Sequence, residues 1–200
     1  MIPVIGIVGG IGSGKSVVAT AMQMLGGRLI SADAFGHEAL SQPEIKEKLV
    51  ARWGNRILDD QGSPDRKSIG RIVFADADEL RALESIVFPF IEQKIVQEIT
   101  NARGTSNVEF IILDAAIMIE TGWHEHCDKI VFVDAPREMR LARLKETRGW
   151  DEKELERREC MQMPLEMKKR HAHVIIVNDG DFEKVNRQVK DALVSWKVIC

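Results

Sequence analysis

The stretch that decides the fold of this chain reads Gly9-Gly10-Ile11-Gly12-Ser13-Gly14-Lys15-Ser16. It matches the pattern GxxxxGK followed by Ser or Thr, whose glycines let consecutive backbone N–H groups turn inward toward a chain of phosphates. An apolar run at residues 2–8 precedes the stretch, and apolar residues at helical spacing follow it. This order of strand, loop and helix predicts a loop that binds the phosphates of a nucleotide, which we take to be ATP.

The residues expected to contact the nucleotide belong to the loop and to the helical turn after it: Gly10, Ile11, Gly12, Ser13, Gly14, Lys15, Ser16 and Val17. The Lys15 ammonium would neutralise charge on the β- and γ-phosphates, and the Ser16 hydroxyl would ligate Mg²⁺. Asp114 follows an apolar run at residues 108–113, a position from which a carboxylate approaches the same ion through water. The sequence therefore predicts Ser16 and Asp114 as the metal-binding residues.

Four apolar runs besides the first alternate with helical patterns and lie at residues 28–31, 108–113, 129–133 and 174–177. Continuous apolar runs are typical of strands that are buried on both faces of a parallel sheet. A last helical stripe near the C-terminal end comprises Phe182, Val185, Val189, Leu193 and Trp196. We therefore predict an α/β fold of the P-loop NTPase type, with three layers and a five-stranded parallel sheet at the centre.

Two stretches interrupt this alternation. Residues 34–103 look almost wholly helical, with breaks at a turn over residues 59–64 and at Pro89. Residues 137–171 are charged helices with breaks at Gly149 and Pro164. A loop of this kind is typical of enzymes that transfer a phosphoryl group from the nucleotide to a second small molecule, the acceptor. We interpret the chain as a single domain in which the first stretch is a helical insertion that binds the acceptor and the second is a lid. The core then consists of three segments, about residues 1–33, 104–136 and 172–200.

Asp33 is the first candidate for a catalytic group, because it lies just after the carboxyl end of the second predicted strand. The carboxyl ends of parallel strands converge on the ligand in a sheet of this type. Asp33 could therefore lie beside the γ-phosphate and accept a proton from an attacking hydroxyl. It could equally be the N-cap of the helix that follows, which is a common position for Asp. The residues alone leave both interpretations open.

Arg140, Arg143 and Arg148 form a second group of candidates, in a locally basic part of the predicted lid. Phosphoryl transfer needs positive charge around the moving group, and arginines there could close over the phosphates. For any one of them, a solvated helix face is the alternative. As a group they favour the functional interpretation.

Composition limits the classes of partner. The formal net charge of −3 gives no general attraction to nucleic acid or to anionic membranes, and we expect neither as a partner. The oligomeric state is not indicated. Cys127, Cys160 and Cys200 form no CxxC pair, and Cys127 with His124 and His126 lacks the usual spacing of zinc ligands. We expect reduced thiols and a cytoplasmic location.

Several segments together resemble the dephospho-CoA kinase family over nearly the whole chain. The phosphate loop has the family's double glycine, and further similar segments are Ile30-Ser31-Ala32-Asp33, Asp65-Arg66 with Val73-Phe74, Leu83-Glu84 with Pro89-Phe90-Ile91, and 172–180 with Asn178. Gln162 falls in the lid helix, where the family has its own glutamine. In this order the segments are highly specific for the family.

The resemblance implies an activity and a role for particular residues. It implies that ATP phosphorylates the ribose 3′-hydroxyl of dephospho-CoA, with Asp33 as the general base. Arg140 or Arg143 would contact the ATP phosphates, and the segment at Asn178 would lie against adenine. The helical insertion, with Arg66 in it, would hold the acceptor, and the substrate-binding residues would be Asp33, Arg66 and Asp114.

This chain departs from the family pattern at three places that bear on the acceptor. Ser31 replaces the first Asp of the family's I-D-A-D, Phe88 replaces a His before proline, and Ala116 replaces a proline after the third strand. The phosphate loop and Asp33 are unchanged. Two alternatives to the family activity are a P-loop kinase for another small molecule (a nucleoside, nucleotide or sugar) and a nucleotide-dependent switch protein.

Overall fold

The structure of the chain, a computed structural model, describes all of residues 1–200. It divides into two compact units. The first, here called the core unit, comprises Met1–Ser31 and Glu98–Cys200. The second, here called the helical unit, comprises Ala32–Gln97.

The core unit contains one sheet of five parallel strands: β1 (Val4–Gly9), β2 (Gly27–Ser31), β3 (Phe110–Asp114), β4 (Lys129–Asp134) and β5 (Val174–Val177). The strands are arranged in the order β2-β3-β1-β4-β5. The predicted five-stranded parallel sheet is therefore confirmed, and the ends of its strands differ from the predicted runs by no more than two residues. β1 is the central strand, and the phosphate loop leaves its carboxyl end.

Nine α-helices lie along the chain: α1 (Lys15–Met24), α2 (Ala32–Leu40), α3 (Pro43–Trp53), α4 (Arg66–Val73), α5 (Ala77–Arg103), α6 (Arg137–Arg148), α7 (Glu152–Glu159), α8 (Leu165–Arg170) and α9 (Phe182–Ser195). Two short 3-10 turns, Asn55–Ile57 and Trp123–His126, complete the regular structure. The predicted breaks at Gly149 and Pro164 are confirmed, since α6 ends before the glycine and α8 begins after the proline.

Helices α1 and α9 cover one face of the sheet. Buried aliphatic side chains of β1, α1 and α9 form one cluster, which includes Ile5, Ile7, Val18, Met22, Val185, Val189 and Leu193. The predicted burial of the α9 stripe is thus confirmed for Val185, Val189 and Leu193. At its ends, Phe182 is 36% exposed and Trp196 is only partly buried. The cluster holds α1, and with it the phosphate loop, in a fixed position on the sheet.

The opposite face of β1 is packed by the chain after β3. A Cβ built at Gly6 would lie 2.6 Å from Met118 Sδ and 2.9 Å from Cys127 Sγ, so only glycine leaves room for this close approach. Successive residues of a strand face opposite sides of a sheet, and Gly6 therefore faces away from the α1–α9 layer. The sheet thus has packed layers on both sides.

The helical unit consists of α2 to α4 and most of α5. The prediction that Pro89 breaks the helical pattern is wrong, because α5 runs through it without interruption. A proline inside a helix costs about 3 kcal/mol through a lost hydrogen bond and a clash. Val87, Ile91 and Ile95, at helical spacing on both sides of the proline, are buried, and each contributes about 1.5–3 kcal/mol. Burial of this stripe outweighs the cost of the proline.

No helix has both the length and the apolar composition that a bilayer span requires.

Candidate active site

The loop between β1 and α1 contains two glycines in conformations that other residues rarely adopt. Gly12 and Gly14 have φ angles of 76° and 86°. A Cβ built at Gly12 would also lie 2.9 Å from the backbone oxygen of Arg140. Helix α1 begins at Lys15 with no side-chain cap and no acidic residue in its first turn. The first turn of α1 thus brings no carboxylate of its own to the positive end of the helix dipole, which favours a bound anion there.

Side chains from α6 and from the end of β5 fix the carbonyl groups of this loop. The hydrogen bonds run from Arg140 Nη1 to Ile11 O (3.2 Å), from Arg143 Nη1 to Ser13 O (3.2 Å) and from Asn178 Nδ2 to Ser13 O (2.8 Å). In a trans peptide the carbonyl and the following N–H point in opposite directions. The N–H groups of Gly12 and Gly14 therefore point away from these side chains. The protein's own hydrogen bonds thus orient the loop amides, which is the arrangement that stabilises developing negative charge.

Asn178 is buried beneath the loop. A Cβ at Gly14 would overlap the Asn178 amide nitrogen, so the position of Asn178 requires glycine at residue 14. Arg143 Nη2 donates to Asn178 O at 3.2 Å and to Asn178 Oδ1 at 3.3 Å. The Asn178 side chain thus supports the loop, and contact between this segment and adenine stays a prediction.

The three arginines of the predicted lid differ in their surroundings. Arg140 is buried and forms an ion pair with Glu159 of α7, so the solvated-face alternative is wrong for it. Arg143 is half-buried against the loop. Arg148 is exposed, with its guanidinium carbon 5.0 Å from the centre of the Trp150 ring. Direct contact of Arg140 or Arg143 with ATP phosphates stays a prediction, but both place positive charge behind the loop.

The groups expected to bind phosphate and metal lie at the ends of β1 and β3. Lys15 Nζ donates to Gly9 O at 3.4 Å, reaching back along the loop. Ser16 is exposed in the first turn of α1. Asp114 ends β3 and pairs in register with Ile7 of β1. A hydroxyl and a single carboxylate fit Mg²⁺, which is usually bound by one or two carboxylates together with substrate phosphates.

A buried lysine ties α8 to the chain that follows β3. Lys168 Nζ lies 2.8 Å from Glu120 Oε1, 2.9 Å from Ala116 O and 3.3 Å from Gln162 Oε1, and its side chain is 1% exposed. At the start of α8, the Leu165 methyl carbons would lie 3.2 and 3.3 Å from a Cβ at Gly10. Lys168 thus anchors the helix that packs on the phosphate loop. Ala116 contributes only its carbonyl, which the family's proline would also have.

We expect Lys168→Met to lower the free energy of unfolding by about 3 kcal/mol, because it leaves the Glu120 carboxylate without its cation in a largely buried site. Denaturant unfolding measures this change. Lys169→Met is the matched control. Lys169 Nζ lies 3.6 Å from Asp134 Oδ2, and the two side chains are 33% and 46% exposed, so this pair should contribute less than about 1 kcal/mol. Equal losses in the two variants would contradict the anchoring role.

Asp33 belongs to the helical unit, where it lies in the first turn of α2. The helix begins at Ala32, so Asp33 is inside the helix rather than at the capping position before it, and the capping alternative is wrong. An acidic residue in a first turn interacts favourably with the helix dipole. Asp33 is exposed, which leaves its carboxylate accessible to an acceptor.

Arg66, also in the helical unit, is the first residue of α4. Asp65 is the N-cap of that helix and accepts hydrogen bonds from the backbone N–H groups of Lys67 and Ser68. The Ser68 hydroxyl and then the Lys67 N–H hold the pKa of Asp65 below its ordinary value. The carboxylate of Asp65 thus caps the N-terminus of α4. Arg66, the next residue, is exposed.

Sequence reasoning missed the buried ion pairs of Lys168 with Glu120 and of Arg140 with Glu159. Nothing in the run Lys168-Lys169-Arg170 indicates which cation is buried. The prediction that Gln162 lies in a lid helix is wrong, because it lies between α7 and α8.

Comparisons with known proteins agree with this geometry. The family model for dephospho-CoA kinase matches residues 3–184. A dephospho-CoA kinase of Geobacter metallireducens is 39% identical, with 97% of this chain and 95% of the relative covered. One of Carboxydothermus hydrogenoformans is 34% identical, with 98% and 96% covered. A crystal structure of a Thermus thermophilus protein is 30% identical, with a TM-score of 0.82 over 97% of both chains. The likeness extends through both units and is not confined to the phosphate loop.

Proposed function

Because the chain belongs to the dephospho-CoA kinase family, we propose that it transfers the γ-phosphoryl group of ATP to the ribose 3′-hydroxyl of dephospho-CoA, giving coenzyme A and ADP. The observation that carries this proposal is the family match over residues 3–184, which includes an unaltered phosphate loop. A cytoplasmic location is part of the proposal, since ATP is a cytoplasmic metabolite.

At the nucleotide end, the loop residues 10–14 and the first turn of α1 bind the triphosphate. The oriented N–H groups of Gly12 and Gly14 and the Lys15 ammonium stabilise negative charge on the β- and γ-phosphates. The Ser16 hydroxyl and the Asp114 carboxylate would hold Mg²⁺. When bound, that ion would supply positive charge next to the phosphates.

At the acceptor end, Asp33 accepts the proton of the 3′-hydroxyl as its oxygen attacks phosphorus. The support for this role is the accessible carboxylate at the start of α2 and its match to the family's motif. Arg66 contributes positive charge for the acceptor. We assign acceptor binding to residues 34–103 and the lid to residues 137–171.

Within that lid, two arginines act on the loop. Arg140 and Arg143 hold the loop carbonyls and add positive charge behind the transferred group, and α8 packs on the loop through Leu165. An arginine held in this way is preorganised, so little reorganisation accompanies the appearance of charge in the transition state.

Coupled ADP release tests the proposed function. We expect ADP release to depend on dephospho-CoA, and mass spectrometry of the product should show one phosphate added at the ribose. The same assay is run with a panel of nucleosides, nucleotides and sugars. Turnover only with a member of the panel would favour a different small-molecule kinase. Slow hydrolysis that no acceptor changes would favour a switch protein.

A further inference from the structure

The helical unit contains a cavity of about 370 Å³. Among its lining residues, only Arg66 has a role in the function proposed above. It is bounded by the end of α2, the first turns of α3 and the chain leading into α4. Its polar and charged lining residues are His37, Ser41, Lys46, Ser63 and Arg66. No carboxylate belongs to the lining, so the cavity is a place for an anion rather than for a cation.

The two cations of this cavity are not neutralised by the protein. Neither Lys46 nor Arg66 has a carboxylate within 4.0 Å. Other cations of the same unit do: Arg52 Nε lies 2.7 Å from Glu79 Oε2, and Lys94 Nζ lies 2.6 Å from Glu38 Oε1. Two positive charges that face one concave surface without partners make it attractive for a group with about two negative charges.

We propose that this cavity binds the diphosphate of the acceptor, with Lys46 and Arg66 as its charge partners and His37, Ser41 and Ser63 as hydrogen-bonding groups. The diphosphate bridge of dephospho-CoA carries two ionised phosphates, which matches the two cations. This inference rests on the proposed function, because it takes the acceptor to be a nucleoside with a 5′-diphosphate ester.

The position of Asp33 supports the assignment. Asp33 and His37 are four residues apart on α2, so their side chains leave the same face of the helix, about 6 Å apart along its axis. The reacting 3′-hydroxyl and the 5′-diphosphate of the acceptor are attached to the same ribose. Asp33, the proposed general base, and His37, which lines the cavity, lie one helical turn apart. Helix α2 can therefore contact the 3′-hydroxyl through Asp33 and the 5′-diphosphate of the same nucleotide through His37. Lys46 then selects acceptors that carry the diphosphate.

The test is steady-state kinetics of Lys46→Met with dephospho-CoA and ATP varied separately. We expect the KM for dephospho-CoA to rise about ten- to a hundredfold, as for the loss of one charge-assisted contact, and the KM for ATP to stay within about twofold. Lys46→Arg, which keeps the charge, should stay within about threefold of the wild-type value. Arg66→Met should raise the KM for dephospho-CoA in the same way.

Lys48→Met is the matched control, since Lys48 is exposed on the same helix and does not line the cavity. It should leave both KM values unchanged. Thermal unfolding checks that each variant is folded, and Lys46→Gln replaces Lys46→Met if the latter is not. An unchanged KM for dephospho-CoA in a folded Lys46 variant would overturn the inference while wild-type transfer keeps the proposed function. No transfer by the wild-type protein would instead remove the proposed function, and this inference with it.

Discussion

Lys15→Ala is expected to lower kcat about a hundred- to a thousandfold, the usual loss when one preorganised positive or hydrogen-bonding group is removed from a transition state. The Lys15 ammonium extends along the phosphate loop from the first turn of α1 and donates a hydrogen bond to Gly9 O at 3.4 Å. Negative charge shifts over the phosphate oxygens as the γ-phosphoryl group moves, and the ammonium stabilises that charge. The measurement is kcat for ADP release at saturating ATP and dephospho-CoA.

Lys190→Ala is the control for this variant, because Lys190 is exposed on α9, far along the chain from the loop. It should keep wild-type kcat and a wild-type melting temperature. The Lys15 variant should also melt close to the wild-type temperature, since its side chain is not part of the apolar cluster between α1 and the sheet. A folded Lys15→Ala protein with normal kcat would refute the assignment of the loop as the phosphate site.

The sheet and the phosphate loop could be predicted because their signals are local. Residues such as Ile111, Ile112 and Leu113 are fully buried, and a strand covered on both faces has to be apolar along its whole length. The left-handed φ angles of Gly12 and Gly14 are likewise a property of the loop itself. Such features can be recognised in the sequence before any tertiary contact is known.

Features that depend on tertiary contacts could not be predicted in this way. Pro89 is a helix breaker by its own chemistry, and only the burial of the side chains around it shows why α5 continues. Arg140 and Lys168 stand in charged sequences that are typical of solvated helix faces, yet both are buried. A buried cation requires a carboxylate from elsewhere in the chain, and neither Glu159 nor Glu120 is marked as that partner by the sequence.

The cavity of the helical unit illustrates the same limit for a binding site. Lys46 is one of many lysines in the sequence, and no motif distinguishes it from Lys48 two residues later. On a helix, residues two positions apart do not face the same side, so only the packing of α3 decides which lysine lines the cavity. The resemblance that points to Arg66 gives no such indication for Lys46.

Asp33→Asn is expected to abolish most phosphoryl transfer and to leave ATP binding near normal. Asparagine has almost the same shape as aspartate but cannot take up the proton of the 3′-hydroxyl, and a positioned general base contributes typically about a hundred- to ten-thousandfold. None of the hydrogen bonds that Arg140, Arg143 and Asn178 donate to the loop involves Asp33, so the substitution leaves these contacts in place. Single-turnover transfer measures the first effect, and titration with a fluorescent ATP analogue measures the second.

Asp60→Asn serves as the control for that substitution, because Asp60 is an exposed aspartate of the same unit, in the turn before α4. It should have wild-type turnover. If Asp33→Asn also turned over at the wild-type rate while folded, the carboxylate would have no part in the chemistry, and the proton would have to leave by another route such as solvent. If instead both transfer and ATP affinity fell together, Asp33 would matter for nucleotide binding, and the separation of roles between the two units would be wrong. Loss of transfer at saturating dephospho-CoA, with ATP affinity retained, is the result expected of a general base on the acceptor side.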